Sequence, residues 1–69
     1  MGEGADRGGG RGEVLFEFTA VGQQMRVAAI DPATGTEVIV ISPLTATRQQ
    51  MQMVAMAKLR RRLAQENGD

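Results

Sequence analysis

The chain contains no cysteine and no histidine. The first absence excludes disulfides. The two together exclude a zinc site built from thiolates and imidazoles, and they leave no imidazole to serve as a general base near neutral pH. There is no Trp or Tyr and there are only 2 Phe, so aliphatic side chains must fill most of any core. Ser42 is the sole serine and Lys58 the sole lysine. A serine nucleophile needs a positioned base, and neither a histidine nor a second lysine exists to serve Ser42. An excess of one charge is also lacking. The 8 Lys and Arg balance the 8 Asp and Glu, so no long-range field draws the chain toward nucleic acid or an anionic membrane. No apolar run approaches the ~18 residues of a transmembrane helix. Met1-Gly2-Glu3-Gly4 is neither basic nor apolar, unlike a signal peptide, and Asp6 stands where a myristoylation signal places Ser or Thr. Together these features lead us to expect a cytoplasmic protein with no cofactor, no metal and no membrane partner.

Glycine is plentiful but concentrated. Six of the 9 glycines fall within residues 1–12. Such a segment cannot bury enough apolar surface to offset its ordering entropy, so a disordered tail is expected there. Residues 13–66 then form one small domain, with residues 67–69 as a disordered C-terminus. A domain of this size buries only ~60% of the surface its unfolded chain exposes. Small domains usually add a disulfide, a metal or a partner chain. With the first two excluded, a tight core or oligomerisation remains.

Residues 13–20 alternate. Val14, Phe16, Phe18 and Ala20 share one face, and Glu13, Glu17 and Thr19 the other, as in a half-buried strand. Gly22-Gln23 reads as a two-residue hairpin loop of type II′, with Gly accepting φ > 0 at the first position. That register sets Ala20 against Met25, Phe18 against Val27 and Phe16 against Ala29, apolar against apolar throughout. On the reverse face Thr19 meets Arg26, with Glu17 diagonal to it and able to pair with its charge. Asp31-Pro32-Ala33-Thr34-Gly35 is a second turn. Asp can bond back to the backbone, Pro pre-sets φ, and Gly35 can supply a left-handed residue. A third strand over residues 36–41 then pairs Val38 with Ala29 and Val40 with Val27, and Ser42-Pro43 ends it. Thr47-Arg48-Gln49-Gln50 fits a capping box. From there to about Gln65 the chain has no Gly or Pro, and good helix formers dominate. Met51, Ala55, Leu59 and Leu63, with Met56 beside them, make the buried stripe. Lys58, Arg61, Arg62 and Gln65 form the polar side. The expected fold is α+β, a three-stranded antiparallel β-meander followed by one C-terminal α-helix laid across Phe16, Phe18, Val27 and Val40.

Several of these residues carry a resemblance. Residues 14–18, Val21-Gly22, Arg26-Val27 and, above all, the run Ala29-Ile30-Asp31-Pro32-Ala33-Thr34-Gly35-Thr36-Glu37-Val38 resemble an uncharacterised family of small bacterial proteins, a domain of unknown function. The likeness spans residues 13–63. The family has no assigned activity, so the resemblance carries over no catalytic residue. It implies a domain that stands alone.

Glu13 and Glu17 are the nearest approach to a pair of acid–base carboxylates. They sit four apart on the solvent face of a strand, where nothing desolvates them, so we expect no enzyme unless a site is shared between subunits. Gly8-Gly9-Gly10-Arg11-Gly12 precedes a strand, whereas a phosphate-cradling loop follows a strand and opens a helix. With Arg7 it resembles Arg-Gly segments that contact single-stranded RNA, but no aromatic accompanies it. The basic cluster Lys58, Arg60, Arg61 and Arg62 is the sharpest hint of nucleic-acid contact. Its plainer explanation is a solvated helix end whose charges oppose the helix dipole. Met25, Met51, Met53 and Met56 suit an adaptable groove or, more simply, a core short of aromatics. Met53 and Val54 lie off the buried stripe, and Leu15, Ala28, Ile30, Ile39 and Ile41 would form an apolar patch on the face away from the helix. Strand three would also be a nearly uncharged edge, which is an aggregation hazard unless covered. Self-association or a protein partner through Leu15, Ile30, Ile39, Ile41, Met53 and Val54 is therefore the leading expectation. Strand three pairing across a two-fold axis and packing of sheet faces are the two routes.

Overall fold

The structure, a computed structural model, describes residues 13–68. The disorder expected of residues 1–12, and Asp69, lie outside the described residues. Three strands, β1 (Leu15–Val21), β2 (Gln24–Ile30) and β3 (Glu37–Pro43), precede one helix, α1 (Arg48–Gly68). The sheet order is β1-β2-β3 with both neighbours antiparallel, which is the β-β-β-α meander that the sequence predicts.

Turn chemistry sets the register. Gly22 has φ 61, and no described non-glycine residue has positive φ. A type I′ turn would need φ > 0 at Gln23 as well, so the loop is type II′. Ala20 then faces Met25, Phe18 faces Val27, and Phe16 faces Ala29. Thr19 opposes Arg26 as expected, but Arg26 forms no ion pair with Glu17. In the second turn the Gly35 N–H donates to Asp31 O at 2.7 Å, and the Asp31 N–H to Thr36 O at 2.8 Å. Gly35 turns the chain at φ 78. The Asp31 carboxylate accepts the Thr34 hydroxyl at 2.8 Å, a side-chain partner in place of the expected backbone one. Val27 faces Val40 and Ala29 faces Val38.

Two boundaries differ from expectation. Strand β3 runs on through Ser42 and Pro43, which pair with Met25 and Gln24. Proline is tolerated because it lies on an edge strand at a position whose N–H would point off the sheet. The helix continues to Gly68, past Gln65. Nothing breaks it earlier, and its last turn is tied to the β2–β3 loop where the Thr36 hydroxyl donates to Glu66 Oε1 at 3.0 Å. The start of α1 is the expected capping box. The Gln50 N–H donates to Thr47 Oγ1 at 3.0 Å and the Thr47 N–H to Gln50 Oε1 at 2.9 Å, satisfying two of the backbone groups a helix end leaves free.

The buried core is Val27, Ala28, Ala29, Val38, Met51, Ala55 and Leu59. It joins Met51, Ala55 and Leu59 of the predicted helix stripe to the middle of the sheet, whereas Leu63 and Met56 are only partly buried. The helix packs on β2 and β3, not squarely across the sheet. Consequently Phe16, Phe18 and Val40 border the core instead of forming its centre. Phe18 is half-buried, with the Arg48 guanidinium carbon 4.2 Å from its ring centroid, a cation–π contact. Ala28 lies on the face away from the helix but is 1% exposed. Its methyl group is short, and Glu17 and Ile39 flank it from the two outer strands.

Candidate interaction surfaces

The ladder's hydrogen-bonding parity decides which backbone groups stay free. The Asp31-to-Thr36 bond points from β2 toward β3. Antiparallel pairing alternates along a strand, so Ala29, Val27 and Met25 also bond toward β3, while Ile30, Ala28, Arg26 and Gln24 bond toward β1. On β3 the outward groups are those of Glu37, Ile39, Ile41 and Pro43. On β1 they are those of Phe16, Phe18 and Ala20.

The two edges are finished differently. Lys58 reaches down from α1 and its Nζ donates to Ile39 O at 2.7 Å. Pro43 has no N–H, and its carbonyl accepts the Ala46 N–H at 3.1 Å. A charged side chain and a proline are the usual protections of an exposed edge. Edge β1 has no proline, and among the described residues its outward backbone groups have no partner, although the charged Arg48 reaches its Phe18 ring at 4.2 Å.

Exposed apolar side chains occur on β1, β3, the β3–α1 connection and α1. Val21, Ile41, Leu44, Met53 and Val54 are the large exposed ones, with Met53 reaching 66% and Val21 56%. Met53, Val54 and Ile41 are thus as exposed as the sequence suggests, whereas Leu15, Ile30 and Ile39 are half-buried. Leu15 and Ile30 are cross-strand neighbours, and Ile39 adjoins Ala28, so these aliphatics shield one another on the face without a helix. Val21 and Leu44 were missed by sequence reasoning. Val21 continues the Leu15, Glu17, Thr19 alternation, a signal that was present. Leu44 lies in a connection whose path no periodicity reports.

The basic cluster is divided by the helix. Lys58, Arg61 and Arg62, with Gln65, line a shallow surface hollow of about 330 Å³. Arg60 points elsewhere, since it lies roughly 200° around the helix from Lys58 at 100° per residue. The dipole explanation for these charges fails. Because α1 extends to Gly68, its last turn carries no basic residue, and a helix dipole acts mainly within the final turn. Among the described residues no group of three or more acidic side chains gathers as metal ligands, and no helix is long and apolar enough to cross a membrane.

A sequence profile of the domain of unknown function DUF6898 matches residues 11–66. The chain belongs to the DUF6898 family. The matched segment holds all three strands and nearly the whole helix, so the DUF6898 domain and the folded unit coincide. No curated protein and no solved structure matches the chain.

Proposed function

We propose that this DUF6898 domain is a non-catalytic module that works by associating with copies of itself, acting as an interaction or accessory unit in the cytoplasm. The observation that carries the reading is the imbalance between seal and surplus. Among the described residues seven are buried, while five large apolar side chains stand in water on the sheet margin, the β3–α1 connection and the helix flank. A chain without disulfides whose core is this small gains stability by covering such surface with a partner. The absence of cysteine suits a reducing compartment. Light scattering coupled to chromatography, at two protein concentrations, tests the reading. A dimer or larger species is expected, and a monomeric mass throughout would refute it.

A second reading has one observation in its favour. Lys58, Arg61 and Arg62 share one hollow and the helix dipole does not account for them, so this flank can receive a polyanion such as a nucleic-acid backbone. Binding would then weaken with salt, with a log–log slope of roughly −0.7 to −0.9 per phosphate contact. Arg61→Ala would lower that slope, whereas Arg60→Ala would leave it unchanged.

A further inference from the structure

We infer that the second copy binds along the β1 edge: two β1 strands pair antiparallel about a two-fold axis at Phe18, joining two three-stranded sheets into one sheet of six strands. This rests on the self-association reading above and names its surface.

Four observations converge on that edge. The first is hydrogen bonding. Phe16, Phe18 and Ala20 point their N–H and C=O groups outward and, among the described residues, none is capped, whereas β3 is closed at Ile39 by Lys58 and at Pro43 by its ring and Ala46. The expectation that β3 would be the pairing strand therefore gives way to β1. The second is the offset of the helix, which packs on β2 and β3. The helix reaches β1 through Arg48, whose guanidinium carbon lies 4.2 Å from the Phe18 ring centroid, while the half-buried Phe16 and Phe18 border the core on this side.

The third observation is register. Strand β1 spans Leu15–Val21, so its midpoint is Phe18. Pairing the strand with itself about that midpoint sets Phe18 against Phe18, Phe16 against Ala20, Glu17 against Thr19 and Leu15 against Val21 of the second copy. No like charges meet. A shift that centred the axis on Glu17 would place two carboxylates face to face, which is destabilising. In the centred register the half-buried Leu15 covers Val21, which is 56% exposed.

The fourth observation is charge complementarity. Arg26 lies beside Thr19 on the open face of the sheet and, among the described residues, has no acidic partner. In the dimer one row runs Arg26, Thr19, then Glu17 of the second copy. With strands ~4.8 Å apart, the long Arg26 side chain spans the short Thr19 to meet that carboxylate, twice per dimer. Stable interfaces bury about 800 Å² per partner, and a seven-residue edge ladder lies at the small end, so the dimer dissociates on dilution.

The test uses the full chain with Ala20→Pro and, as a matched control, Ile41→Pro. Both N–H groups point off the sheet, so neither proline removes a ladder bond within one chain. Light scattering is expected to show dimers for the wild type and Ile41→Pro, and monomers for Ala20→Pro at the same concentration, with unchanged circular dichroism. Should Ala20→Pro fail to fold, the double variant Glu17→Cys with Thr19→Cys decides. The chain has no other cysteine, and the centred register brings positions 17 and 19 of opposite copies to about 4.5 Å between Cα atoms, within disulfide reach. A covalent dimer under mild oxidation is expected. A wild-type dimer that persists in folded Ala20→Pro, or that gives no covalent product, places the contact elsewhere and overturns the inference while leaving self-association intact. A wild type that is monomeric at every concentration overturns both.

Discussion

Leu59→Ala tests whether the helix is seated as described. Leu59 is 0% exposed and, with Val27, is one of the two largest fully buried side chains. The substitution removes three carbon atoms, worth ~2.4 kcal/mol in transfer free energy at ~0.8 kcal/mol per methylene. Val27 and Ala55 at 0% and Val38 at 2% exposure belong to a regular sheet and helix that collapse poorly into the gap. A residual cavity of ~50 Å³ adds ~1.2 kcal/mol. The expected loss is therefore ~3–4 kcal/mol. A domain of this length has a total stability of ~3–8 kcal/mol, so the variant should be close to unfolding at room temperature. Its melting temperature should fall by at least ~12 °C, at ~4–8 °C per kcal/mol. The assay is thermal and urea unfolding followed by circular dichroism, with wild type and variant at one protein concentration, because association contributes to apparent stability. Met53→Ala, on the same helix at 66% exposure, is the control and should change stability by less than ~0.5 kcal/mol. A loss below ~1 kcal/mol for Leu59→Ala in a still cooperative transition would refute the packing of α1 on β2 and β3.

Three further outcomes are expected. Thr47→Ala removes the hydroxyl that accepts the Gln50 N–H and should cost ~1 kcal/mol, read as a lower urea midpoint at constant slope. Gly35→Ala should cost ~1–2 kcal/mol although a methyl group there meets nothing within 4 Å, because the strain lies in the backbone at φ 78; an unchanged midpoint would show that the loop adopts another conformation. Lys58→Met keeps the aliphatic stem but frees Ile39 O, so it should alter stability by less than ~1 kcal/mol yet increase aggregation through an unguarded β3 edge, measured as turbidity on prolonged incubation at high concentration.

The amino-acid sequence determined the local elements and most of their pairing. Gly22 at the first loop position selected a type II′ turn, and that turn set every pair from Ala20–Met25 to Leu15–Ile30. The spacing of Met51, Ala55 and Leu59 marked the buried stripe, and Thr47 with Gln50 marked the helix start. These features were legible because each depends on residues near one another in the chain, or on a two-residue period that a turn carries across. The lateral position of α1 depends instead on how side chains from separate elements fit. The alternation of β1 shows which face Phe16 and Phe18 occupy, but it does not show that the helix will settle over β2 and β3 and leave them half-covered. The state of the edges is decided in the same way. A strand pattern reveals that β1 and β3 both end the sheet. Only the folded helix brings Lys58 onto the carbonyl of Ile39, because a side chain 19 residues away must first be placed beside it.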